Sequence, residues 1–204
     1  MIKKLQKLKA KKGFTLVELI VVIAIIGVLA AILVPTMLGY VENSRITSAD
    51  QTAKTIKDAA QVAATEMDTQ GMGLNATKLV TLGTYTPATT TGGTTTPATV
   101  TFAAATTAPA NPEGVIGAAA NYKGQQTAKA PASHATKLSK SLVTLLTEQK
   151  KGLTFLIVYE NGTVTQVYSS EDAELSTVAA ISWASAGKDS AGNIIGTNPK
   201  ITEV

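Results

Sequence analysis

Lys11-Lys12-Gly13-Phe14-Thr15-Leu16-Val17-Glu18-Leu19-Ile20 joins a lysine-rich head to a long apolar run. From Phe14 to Leu38 there is one charged residue, Glu18. As a helix this run reaches roughly 37 Å at ~1.5 Å per residue, against ~30 Å of bilayer hydrocarbon. The lysines precede it and the polar bulk of the chain follows. The positive-inside rule therefore predicts a single span with its N-terminus in the cytoplasm and its C-terminal domain outside. A secretory signal would carry a shorter apolar region followed by a small-residue cleavage site, and Ala30-Ala31-Ile32-Leu33-Val34-Pro35 offers only a weak one. A carboxylate within such a run costs ~2.5–3.5 kcal/mol at a bilayer centre and less near its surface. Glu18 therefore needs a partner, or must snorkel to the interface.

The rest of the chain fits one extracytoplasmic domain. Of 204 residues, about 166 remain after the apolar segment, an ordinary domain length. The formal charge of +4 is misleading. Lys3, Lys4, Lys7, Lys9, Lys11 and Lys12 supply a third of the 18 basic residues, and the body without them is slightly acidic. The charge thus gives no ground for predicting nucleic-acid binding, which needs a basic face on the domain itself. There is no cysteine, so neither a disulfide nor a thiolate metal site is available. The lone His134 sits among Ala, Ser and Thr and reads as a solvated loop or helix-start residue. With no Gly-x-Ser-x-Gly and no phosphate loop, the sequence predicts no enzyme, no catalytic residue, no cofactor and no metal. Glu171, Asp172 and Glu174 could hold calcium, but acidic residues at a helix start explain them as well.

Ile46, Ala49, Ala53, Ile56, Ala60, Ala63 and Met67 recur at alternating spacings of three and four, one apolar helical stripe. Glu42/Arg45, Asp50/Lys54 and Lys54/Asp58 add candidate surface pairs. One helix is expected from about 14 to 70, membrane-spanning over 14–38 and amphipathic over 39–70. Residues 84–112 contain twelve threonines with Pro87, Pro97, Pro109 and Pro112. Three readings compete: a threonine-rich hairpin turning at Gly92-Gly93, a flexible surface loop, and an O-glycosylated loop. The mix of Thr and Pro favours an irregular exposed region with one or two short strands near Tyr85 and Val100–Phe102. Residues 133–150 read as a helix with Leu138, Leu142, Leu145 and Leu146 on one face. Residues 153–168 read as a hairpin turning at Asn161-Gly162. A capped helix is expected over 170–185, and the tail is expected to add an edge strand near Ile194-Ile195. The expected fold class is α+β: a long N-terminal helix packed on a small antiparallel sheet. Its parts are a leader (1–13), the two helix halves, a variable region (71–152) and a hairpin with C-terminal region (153–204).

Gly13-Phe14-Thr15-Leu16-Val17-Glu18 resembles the processing motif of type IV prepilins and pseudopilins. The close likeness covers about residues 9–40. It implies cleavage by a prepilin peptidase between Gly13 and Phe14, and N-methylation of Phe14. It also implies a role for Glu18 in filament assembly, paired with the terminal amine of a neighbouring subunit. Gly27 and Pro35 match family positions between which the helix unwinds on assembly. The implied partners are the peptidase, an assembly platform, the cytoplasmic membrane before assembly, and copies of the chain in a surface filament. Such filaments serve adhesion, motility, aggregation or DNA uptake. Two alternatives stay open: a pseudopilin of a type II secretion or competence system, and a membrane-anchored binding protein. Many pilins of Gram-negative bacteria close their C-terminal region with a disulfide, which this chain cannot form.

Overall fold

A computed structural model describes residues 14–71, 73–74, 78–104, 129–149, 151–173, 175, 183–185 and 187–201. The chain divides into two compact units, Met1–Asn43 and Ser44–Val204. Helix α1, Leu16–Thr69, begins in the first and continues in the second. It runs through Pro35 without a break. Proline cannot donate to the carbonyl one turn earlier, and the next hydroxyl, Thr36 Oγ1, donates to Leu33 O at 2.9 Å. The described side chains of the first unit are exposed throughout, and this part of the helix is long and apolar enough to cross a membrane.

The second unit is built on a five-stranded antiparallel sheet. Its strands are β1 (Lys78–Thr86), β4 (Thr99–Ala104), β5 (Leu153–Glu160), β6 (Thr163–Ser170) and β9 (Gly196–Asn198), in the order β4-β1-β5-β6-β9. Two ribbons stand apart from it: β2 (Thr89–Thr91) with β3 (Thr94–Thr96), and β7 (Trp183–Ser185) with β8 (Lys188–Asp189). Helix α2 spans Lys129–Leu145. The central strand β5 is buried on both faces, and so it reads as a nearly unbroken apolar run. One face packs with α1 and α2: Ala53, Ile56, Ala60 and Ala63 meet Phe155, Ile157 and Tyr159, with Leu138 and Leu142. The other face gathers Val80, Leu156, Val158, Tyr168 and Ile195. Val164 and Val167, three residues apart, reach the same face because the β5–β6 register slips between Val158 and Tyr159.

Two glycines make this packing possible. A Cβ at Gly83 would run into the ring of Phe155, its partner across the strands. Gly83 also pairs with Phe102 of β4, and the two phenylalanine rings meet edge to face at 6.3 Å. A Cβ at Gly196 would collide with the carbonyl of Ala49, so β9 approaches α1 only because it begins with glycine.

The α+β class is as expected, as is the hairpin turn, with φ of 51° at Asn161 and 81° at Gly162; the paired β2 and β3 realise the hairpin about Gly92-Gly93 that was only one of the competing readings. Several details differ. The threonine-rich stretch is more regular than expected over its described part, because β1 begins at Lys78 and binds β5 along eight residue pairs. Residues 105–112 lie outside the described residues. Leu145, the last residue of α2, is 52% exposed, while Leu138, Leu142 and Leu146 are buried. Trp183–Ser185 is a strand where a helix was expected. Helix α2 also starts and ends earlier than expected. Leu142 is fully buried between helix and sheet, so Leu142→Ala should lower the unfolding free energy by about 2–5 kcal/mol in urea titrations of the detergent-solubilised chain.

Candidate functional site

The start of α1 is closed by a reciprocal cap. Thr15 precedes the first helical residue. Its backbone N–H donates to Glu18 Oε2 at 2.8 Å, and its hydroxyl donates to the same oxygen at 2.8 Å. In return, the N–H of Glu18 lies 3.2 Å from Thr15 Oγ1. These bonds occupy donors that a helix N-terminus otherwise leaves open. Glu18 therefore has a partner within its own chain. Thr15 is a site residue that the sequence reading passed over, although Thr15-x-x-Glu18 is itself the spacing of a capping box.

Gly13 lies outside the described residues. Phe14 is 88% exposed, two residues before the first helical residue. Gly27 has open space where a Cβ would stand, and Pro35 lies eight residues on in the same helix. Phe14, Thr15 and Glu18 are thus brought together at one helix end. Gly27 and Pro35 stand apart from that end, farther along the same helix.

With this geometry in place, the sequence relationships can be read. Residues 8–34 match the family described as the prokaryotic N-terminal methylation motif. Together with the relatives below, this supports a type IV pilin. A fimbrial protein of Pseudomonas aeruginosa is 46% identical over 59 residues, which is 29% of this chain and 38% of the relative. A type IV major alpha-pilin of Moraxella bovis is 48% identical over 56 residues, covering 26% of this chain and 35% of the relative. The type IV major fimbrial protein FimA of Dichelobacter nodosus is 53% identical over 36 residues, 18% of this chain and 23% of its own length. The chain thus spans well under half the length of the curated relatives it matches. No solved structure gives a significant match.

In the second unit, polar side chains of α1 hold the sheet. Asp50 Oδ1 accepts from the N–H of Thr197 at 2.9 Å, and Asp50 Oδ2 lies 3.7 Å from Lys200. Gln61 Oε1 accepts from Val164 N at 2.7 Å, and Lys57 donates to Thr165 O at 3.3 Å. Asp50 had been expected to pair with Lys54 on the helix surface; it turns instead to β9 and the residues after it. Glu66 and Lys137 link α1 to α2. No group of three or more candidate metal ligands occurs among the described residues, and Glu174 lies outside them.

His134 is the clearest correction. It is fully buried, with its ring edge-on to Tyr159 at 6.5 Å. It lies one turn before Leu138 on α2 and so follows the buried stripe of that helix. Burial, reinforced by the nearby charge of Lys137, lowers its pKa to about 4. An unfolded histidine titrates near ~6.5. Above that pH both states are neutral and the term vanishes. As pH falls through the window between the two values, only the unfolded chain takes up the proton, and the folded state loses up to about 3 kcal/mol. Below about 4 both forms are protonated and the loss levels off. Urea midpoints at pH 7.5 and 4.5 should therefore separate further in the native chain than in a His134→Phe variant. Hydrogen exchange should also show faster opening of the first turn of α1 in Thr15→Ala, consistent with a lost cap of ~0.5–2 kcal/mol.

Proposed function

We propose that this chain is the structural, non-catalytic subunit of a type IV pilus. It would be held in the cytoplasmic membrane by residues 14–38, cut between Gly13 and Phe14 by a prepilin peptidase, methylated at Phe14, and polymerised at an assembly platform into a surface filament. The observation that carries this reading is the conjunction, within residues 8–34, of the methylation-motif match and an exposed apolar helix headed by Phe14 and Glu18. An apolar surface of this length needs a lipid or protein environment. In a fibre, neighbouring helices supply that environment, and apolar burial drives association at ~25 cal/mol per Å2.

Glu18 fits both settings. Its cap on Thr15 satisfies it within one subunit. After cleavage the new amine of Phe14 lies one turn away in sequence, and the same amine on a neighbour provides the cation that a carboxylate in a low-dielectric bundle requires. Gly27, with a helix propensity ~1 kcal/mol below alanine, and Pro35 bracket the segment that would unwind during packing. Unbroken helix between them in filament density would reject that step.

The primary test is the N-terminal peptide mass in sheared and membrane fractions of producing cells. N-methylated Phe14 in sheared fibres is the expected result. The same terminus confined to membranes would favour a pseudopilin, and an intact leader would overturn the reading. Glu18→Ala should leave processing largely intact and sharply reduce sheared filaments, as measured by immunoblot; normal filament yield would remove Glu18 from assembly.

A further inference from the structure

Beside the second half of α1 lies a cleft of about 260 Å3 whose walls carry charges of both signs. Arg45 comes from α1 and Lys151 from the segment just before β5; Glu171 and Asp172 come from the turn after β6. All four are exposed, and none makes an ion pair with another described residue. The hydroxyls in the cleft are engaged differently. Ser170 Oγ donates to Ile194 O at 2.7 Å and accepts from the N–H groups of Asp172 and Ala173, so the turn that carries the carboxylates is fixed from within. The result is a firm-walled recess with two cations and two carboxylates left for an external partner.

The same helix carries complementary charges elsewhere. Lys54 and Asp58 are exposed one turn apart and make no ion pair among the described residues, although their spacing predicts one. At about 100° per residue, Lys54 points roughly 150° and Asp58 roughly 110° away from the mean direction of the cleft-lining Arg45, Ser48 and Thr52. Recess and charged pair thus lie on different sides of one helix.

We infer that the cleft receives the Lys54–Asp58 pair of a second copy of this chain, Asp58 meeting Arg45 and Lys151 while Lys54 meets Glu171 and Asp172. A contact between two different patches of a subunit is heterologous. Repeated, it produces an open helical array rather than a closed dimer. The inference rests on the fibre reading and deepens it: the membrane-spanning helices supply affinity, and this contact sets the rotation from one folded unit to the next.

The chain has no cysteine, which makes the test clean. Asp58→Cys and Lys151→Cys are introduced singly and together in producing cells. Sheared fibres are treated with a short bismaleimide cross-linker and run on denaturing gels. The double variant should give a ladder of dimers, trimers and higher multimers, and each single variant monomer alone. Dimers from Lys151→Cys by itself would mean that two clefts face each other, overturning the inference. So would fibres of the double variant that remain monomeric on the gel. As an independent arm, Asp58→Lys should reduce fibre yield and the added Lys151→Glu should restore it; no recovery would also overturn the inference. Each of these failures leaves the fibre reading standing. That reading fails separately, if cells making the native chain yield no sheared fibres carrying processed Phe14.

Discussion

The second unit depends on how closely α1 can approach its sheet. The contacting face of the helix is dominated by alanine: Ala53, Ala59, Ala60, Ala63 and Ala64 are buried, with Ile56 and Met67 as the larger members. Small side chains bring the helix backbone near the strands, and the strands supply the bulk through Phe155, Ile157 and Tyr159. That division of volume suits a chain with only 4% aromatic residues, because Phe155 and Tyr159 are both buried in this interface. The same closeness explains Gly196, which faces the carbonyl of Ala49, and the short reach from Asp50 and Gln61 to strand amides. Those hydrogen bonds pair strand donors that the helix would otherwise cover, so the polar contacts complete the apolar ones.

The helix is chemically divided by the setting of each part. Before residue 44 it offers lipid or other helices an exposed, almost uncharged surface. After that point it carries a buried stripe, a latching row and an outer charged row at different angles. Glu18 is an exception in the first part only when considered as an isolated charge. Placed in the first turn with Thr15, it performs the ordinary task of an acidic residue at a helix start. A function in assembly would then add to a local structural role, because the carboxylate has more than one acceptor site.

Much of this was legible in the sequence because it is local or periodic. The apolar run, the three-four stripe and the Asn161-Gly162 turn each specify structure over a few residues, and each stands where expected. The misreadings share a different cause. His134 looked solvated because its sequence neighbours are small and polar, yet burial is set by Tyr159, which lies 25 residues away in the chain. The regularity of β1 was hidden because its threonines and Gly83 suggest a loop; the partner strand β5, far along the chain, supplies the ladder and the ring that fills the glycine's space. Acidic residues after Ser170 suggested a helix start, and the Ser170 hydroxyl does bond the following N–H groups, but the chain goes on to a strand at Trp183. Around Glu18, residue type and position were readable; the Thr15 cap was equally local but overlooked.

The bond from Asp50 to Thr197 joins residues 147 apart in the chain. Both strands that the latching row of α1 reaches, β6 and β9, lie in the last quarter of the sequence. The helix is therefore made first and covered last. While the chain is being synthesised, the alanine stripe has no sheet to rest on, and the domain closes only when the final strand arrives. Loop-closure entropy over such distances makes that closure slow relative to helix formation. During the interval the apolar stripe of the helix stays uncovered, so a chain that stops short of β9 keeps an exposed face that the complete chain buries.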